Sequence, residues 1–290
     1  MGWLNLGFMI TYSQRTEMQT GDEDAPTPPG AETYARVYSF TGNLGVWRGL
    51  SLRLTLPVLE IGAIEGEPSQ ERTLAPDDAA HEGDAHAAMG GDSHFVGLGD
   101  LSLLAHYLFV SESLPPTCRL GFGVGAYLPT GGVSSEDIPS NASFRSGTAD
   151  PYLTYNGSYD FGTGIGIYTQ AFARLVLMEN RDGYQASHSL AYGAGVRYRW
   201  VQVLFPSLGL DVLHRFHDRE HGEEVADSGG DFVYVSGALS LAWDRGIMSG
   251  FSFFLSAQVP VYQRVNGTQF AEDFNISVGV GYGFQTFGGQ

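Results

Sequence analysis

The sequence predicts an all-β chain that closes into a transmembrane antiparallel β-barrel of about 12 strands. Three observations predict it. Apolar residues recur at every second position through segments of roughly ten residues, the length of a tilted membrane strand. The connections alternate short and long, as periplasmic turns and outer loops do. No apolar run in the 290 residues approaches the ~20 that a membrane helix needs. The last strand shows the pattern most plainly. Phe274, Ile276, Val278, Val280, Tyr282 and Phe284 alternate with only Asn, Ser and Gly. A soluble sandwich strand places bulk inward and charge outward, whereas here the second face is almost all glycine.

The remaining strands repeat this alternation. The first, about 3–13, sets Leu4, Leu6, Phe8, Ile10 and Tyr12 against Asn5, Gly7, Met9, Thr11 and Ser13. The second, about 33–41, puts Tyr34, Arg36, Tyr38 and Phe40 on one face, with a turn expected over 42–49. The third carries Leu50, Leu52, Leu54, Leu56 and Val58 outward and Arg53 inward. In the fourth, Leu101, Leu103, Ala105, Tyr107 and Phe109 oppose Asp100, Ser102 and His106. The fifth opposes Leu120, Phe122 and Val124 to Arg119, Gly121, Gly123 and Gly125. Strands six and seven turn Asp150, Tyr152, Asn156 and Asp160, then Tyr168, Gln170, Phe172 and Arg174, inward. Strand eight sets Leu190, Tyr192 and Val196 against Gly193, Gly195 and Arg197, and strand nine turns Asp211 and Arg215 inward. Strands ten and eleven show Val233, Val235, Leu239 and Leu241, then Phe251, Phe253, Leu255, Ala257 and Val259. The whole chain, 1–290, therefore forms one domain, with long outer loops at about 14–33, 62–94, 131–149 and 216–231.

Two tallies orient the barrel. Trp3, Trp47, Trp200 and Trp243 all fall at strand ends or turns on the expected periplasmic side, as an interfacial belt would. The six expected outer loops hold 25 of the 32 acids and 6 of the 15 arginines. The net charge of −17 opposes nucleic-acid binding. Cys118 stands alone, so no intrachain disulfide forms. No signal peptide opens the chain. Export of a barrel requires one, so a mature chain of a Gram-negative outer membrane is expected.

Several stretches resemble known sequences. Ser277, Gly279, Tyr282 and Phe284 resemble the C-terminal signal that outer-membrane barrels show to their assembly machinery. Gly97-Leu-Gly-Asp100, Leu128-Pro129-Thr130-Gly131 and Gly147-Thr-Ala-Asp150-Pro151, in this order, resemble the outer-membrane transporter-like family known around the meta-pathway of phenol degradation. Gly49-Leu-Ser-Leu-Arg53-Leu-Thr-Leu-Pro57 and Val259-Pro260-Val261-Tyr262 with Asn266-Gly267 are similar to the same family's third and eleventh strands. The resemblance implies a monomeric outer-membrane barrel with a role in solute passage. The His- and acid-rich loop at 62–94 departs from it.

The inward faces collect Arg53, Asp100, His106, Asp150, Asp160, Arg174, Arg197, Asp211 and Arg215. In so narrow a barrel these side chains can meet. One reading is a charged constriction that selects small solutes, the other a salt-bridged plug that satisfies buried charge. Small residues on strands five, eight and twelve favour open space. Pro57, Pro129 and Pro260 cannot donate to the ladder, so bulges or breaks are expected there, shaping a rim or a lateral opening.

The outer loops contain His81, Asp84, His86 and His94, and separately His217 and His221, side-chain types that suit divalent metal ions. No fixed zinc-site spacing appears. Weak capture of divalent cations by the acidic loops, bridging to anionic lipopolysaccharide, is the other reading, and no bound cofactor is expected. No Gly-x-Ser-x-Gly, His-Glu-x-x-His or phosphate loop occurs, so no enzyme is expected. The function expected is a passive channel for small solutes. Its rival is a closed structural barrel that docks an envelope protein. The acidic loops favour cations at the mouth, while the luminal arginines act against that preference.

Overall fold

The computed structural model describes residues 2–28, 30–64, 93–112, 116–131, 146–181 and 183–287. Twelve strands close into one antiparallel barrel. They are β1 (Gly2–Arg15), β2 (Glu32–Trp47), β3 (Leu50–Ile64), β4 (Leu101–Ser111), β5 (Thr117–Leu128), β6 (Asp150–Asp160), β7 (Ile165–Arg174), β8 (Ser189–Tyr198), β9 (Leu204–Arg215), β10 (Gly230–Ala242), β11 (Phe251–Val265) and β12 (Phe274–Phe287). Each pairs with its neighbour in sequence, and β1 pairs with β12 from Gly2↔Phe287 to Gln14↔Phe274, which shuts the wall. A short strand, Ser93–Leu98, pairs with the outer half of β3 and continues the line of β4.

The faces fall as the alternation predicts. Leu6, Leu54, Phe122, Val124, Ile167, Val196, Leu208, Leu210, Val259 and Val280 are all exposed, whereas the buried apolar residues are few. In a soluble chain these side chains would form the core. On a membrane barrel such side chains face lipid, and only a closed sheet lets the backbone satisfy its own hydrogen bonds inside a bilayer. A small apolar cluster is buried on neighbouring strands: Phe232 and Tyr234 of β10 with Val265 and Leu213.

The second strand departs from the expectation of a turn over 42–49. It runs on to Trp47, with Leu44 opposite both Leu4 and Leu52. Gly42 and Gly45 read as turn residues in isolation, but two flanking strands hold them extended. The hairpin itself needs only Arg48 and Gly49, and Gly49 takes a left-handed φ of 78°. The prolines act as expected of residues without an N–H. Pro260 and Val261 form a bulge, since Tyr234 pairs with Pro260 and Val233 with Tyr262. At Pro57 the ladder to β4 breaks, and only its carbonyl accepts a bond, from Gly99 N–H at 2.9 Å. Pro129 follows the last residue of β5.

Two small sheets tie the outer loops together. Met18–Thr20 pairs with Glu23–Ala25 and with Thr268–Phe270, joining the first and last outer loops. Tyr184–Gln185 pairs with Arg219–Glu220, which pairs with Glu223–Glu224. Trp47 and Trp200 are strongly exposed at the opposite end, as a belt requires. Trp3 differs, because it shares the face of Asn5 and its indole covers Gly45.

Candidate functional site: the barrel lumen

A cavity of about 660 Å³ lies in the lumen. Its wall takes Arg53 from β3, Leu104 and His106 from β4, Asn156 from β6, Gln170 and Phe172 from β7, Asp211 and Leu213 from β9, Tyr234 from β10 and Gln258 from β11. Alternation places each of these side chains inward.

The nine charged or imidazole residues expected to make a constriction lie at three levels rather than in one ring. At the outer end, Asp150 is fully buried, binds the Arg174 guanidinium at 2.5 Å and accepts the Thr148 hydroxyl at 2.6 Å. Arg174 also lies over the Tyr127 ring, 5.0 Å from its centre. Asp100 sits at the break before β4 and accepts Gly131 N–H (3.1 Å), Ser146 N–H (2.8 Å) and the Ser146 hydroxyl (2.9 Å). It anchors both ends of the third outer loop to the wall. Arg215 points inward at the same end, with no hydrogen bond or ion pair among the described residues.

At the middle level, the His106 imidazole Nε2 shares a 2.5 Å hydrogen bond with Asn156 Oδ1. Asp211 accepts Gln170 Nε2 at 3.4 Å and Gln258 Nε2 at 3.0 Å. Arg53 lines the cavity and has no hydrogen-bond or ion-pair partner among the described residues. At the periplasmic level, Asp160 lies 3.7 Å from Arg199. Arg197 is unpaired there among the described residues. Asp150 and Arg174 thus form an ion pair, whereas Arg53, Arg197 and Arg215 have no ion-pair partner among the described residues.

The alternation turns Asn156 and Gln170 inward, but the search for charge left these amides, with Gln258 and Asn275, out of the expected constriction. Gln258, Asn156 and Asn275 line the cavity at inward positions and set much of its chemistry. Glu272 was missed as well. It precedes β12, binds Arg15 at 3.0 Å and accepts the Tyr234 hydroxyl at 2.8 Å and Asn275 Nδ2 at 3.1 Å. Burial opposes its ionisation, but the Arg15 charge and the Tyr234 and Asn275 hydrogen bonds outweigh that and hold its pKa below the usual carboxylate range. The parity of each strand was the available signal for the amides. Nothing local marked Glu272.

At four glycines of β5 and β8, neighbouring side chains lie close over the bare backbone. A side chain at Gly121 would meet the His106 ring, one at Gly123 Leu104 and Thr154, one at Gly125 Tyr152, and one at Gly193 Asp211 and Gln170. Neighbouring strands fold their side chains over these bare positions.

Among the described residues, no three His, Cys, Asp or Glu side chains converge as metal ligands would. His94 lies 3.1 Å from Glu60, which also binds Arg36 at 2.8 Å and Tyr38 at 2.9 Å. His217 Nδ1 contacts the Val225 carbonyl at 3.2 Å, and His221 occupies a turn with φ of 50°. His81, Asp84 and His86 lie outside the described residues.

No family model and no curated protein matches the sequence. Among solved structures, the chain is similar to the COG4313 outer membrane channel from Pseudomonas putida F1. The two are 14% identical, with 98% of this chain and 96% of that one covered and a TM-score of 0.71. It is also similar to the β domain of the Bordetella autotransporter Brka (13% identical, 97% and 99% covered, TM-score 0.48) and to a Pseudomonas aeruginosa FadL homologue (11%, 97% and 90%, TM-score 0.47). The motif resemblance to the phenol meta-pathway family is not carried by any of these matches. The first likeness shows the coarser feature, the fold of an outer-membrane β-barrel over nearly the whole chain.

Proposed function

We propose that the chain is a passive channel of the Gram-negative outer membrane, passing small solutes along the lumen. The observation that carries this reading is the 660 Å³ cavity in the middle of the barrel, lined by groups that keep hydrogen-bonding capacity. A plug built only to satisfy buried charge would fill that volume and pair Arg53. The exposed apolar wall supports outer-membrane lipid and lipopolysaccharide as its surroundings, and the closing strand suits recognition by the barrel-assembly machinery. Divalent cations held weakly by the acidic outer loops, bridging to lipopolysaccharide, belong to the same proposal.

The rival reading is a closed barrel that docks another envelope protein. One feature favours it: Asp150, Arg174, Tyr127 and Tyr152 pack together at the outer end of β5–β7. Planar-bilayer recording separates the two. Discrete current steps from the purified full chain are expected, and a silent bilayer containing folded protein would leave only the closed barrel.

A further inference from the structure

Arg174 is paired with Asp150 and Arg15 with Glu272, but four further luminal arginines have no acid as ion-pair partner among the described residues. Asp100 is held by the Ser146 and Gly131 N–H groups and the Ser146 hydroxyl, Asp211 by two glutamine amides, and Asp150 by Arg174 and Thr148. Arg53, Arg119, Arg197 and Arg215 all sit at inward positions, and none has a hydrogen bond or ion pair among the described residues. They are spread along the pore. Arg215 is at the outer end of β9, Arg53 lines the central cavity, and Arg119 and Arg197 are near the periplasmic ends of β5 and β8. Arg215 pairs with Ser189 of β8, and Arg197 lies eight steps further along that strand, roughly 27 Å away.

The cavity around Arg53 is chemically two-sided. His106 and Asn156 are bonded through Asn156 Oδ1, so the Asn156 amide hydrogens stay free for the cavity. Leu104 and Phe172 line the space with them, and Leu213 and Tyr234 line it farther round the wall. Gln170 and Gln258 each donate one amide hydrogen to Asp211, which lowers its power to compete for Arg53. An unpaired guanidinium offers a planar fork that matches a carboxylate.

We infer that this lumen selects small organic anions, specifically carboxylates with an apolar body, with Arg53 as their principal binding cation. The inference rests on the channel reading for passage, but the site itself can be tested without conduction. It reverses the preference for cations that the acidic outer loops alone suggest. Fixed charge in a narrow, low-dielectric passage acts more strongly than hydrated loops at the mouth.

The test uses the full chain in two assays. Reversal potentials in planar bilayers under a potassium chloride gradient report the sign of selectivity. Calorimetric titration of the detergent-solubilised barrel with hexanoate, hexylammonium and hexanamide reports the site. Chloride preference is expected, with hexanoate binding about tenfold tighter than either analogue. Arg53→Gln should weaken hexanoate about tenfold, and Arg53→Lys should restore part of it through charge without the fork. Arg197→Gln should reduce the chloride preference yet leave hexanoate affinity unchanged. Heat-sensitive migration on gels shows that each variant is folded. Potassium preference in the intact barrel, equal binding of hexylammonium, or an unchanged Arg53→Gln variant would overturn the inference. Tight hexanoate binding in a barrel that does not conduct would sink the channel reading and leave the site. Conduction without hexanoate selectivity would do the reverse.

Discussion

A fully buried charge in this barrel depends on the neighbour that answers it. Asp150 is fully buried, and Arg174 is its cationic partner. Removing one half leaves the other charge in a medium that cannot solvate it. Asp150→Ala should therefore cost about 3 kcal/mol in urea unfolding from lipid, while Asp150→Ala with Arg174→Met should cost less than the single change. Glu272 offers a second residue-scale test, through pH. Its folded pKa is depressed, so its contribution is present in full above the ordinary carboxylate range. That contribution is lost as pH falls through this range toward the folded value. Hydrogen exchange over Gln263–Asn275, where Gln263 brackets Glu272 with two 2.8 Å bonds, should accelerate below about pH 4. In Glu272→Gln the same amides should exchange with no such step, and an identical step in the variant would remove Glu272 as its cause.

A strand here is read through its neighbours. The inner face of β5 is bare because β4 and β6 cover it. The Tyr152 ring lies over Gly125, 4.8 Å from the Tyr127 ring and 5.6 Å from that of Phe172, and its hydroxyl is 2.7 Å from Ser102. A Cβ at Gly125 would also come 2.5 Å from the Leu103 carbonyl, which the backbone cannot relieve. Gly125→Val should destabilise the barrel by about 2 kcal/mol in the same unfolding assay. A neutral result would mean that the aromatic stack is free to move aside. The same dependence on neighbours explains β2, whose glycines look like a turn until β1 and β3 are placed beside them.

At the scale of the whole molecule, the closed wall turns its apolar side chains outward and its amides inward. Leu210 is 54% exposed near the middle of β9, where the bilayer is most apolar. Leu210→Arg should cost about 2–4 kcal/mol in phospholipid vesicles, the depth-dependent penalty for a charge facing lipid. A water-soluble barrel would tolerate or favour the same change, so an unaffected variant would contradict the membrane reading. The order of the outer loops also belongs to this scale, because segments about 250 residues apart meet when Thr20 pairs with Thr268.

The sequence by itself determined the fold class, a count of about twelve strands and the alternation of faces along them, but not the run of β2 through Trp47. A period of two maps directly onto the two sides of a strand, and the apolar side could only be lipid-facing once the other was glycine. Loop lengths and the tryptophans at Trp47 and Trp200 fixed the ends in the same local way. Which luminal charges meet was decided only by the tertiary structure. Asp211 is held by Gln258, 47 residues away, and Glu272 by Arg15, 257 residues away. Such partners depend on the tilt and stagger of strands around a closed wall, which no single strand encodes. For that reason Arg174 and Arg53, equivalent as inward arginines in sequence, become respectively a buried ion pair and an unpaired cation facing the cavity.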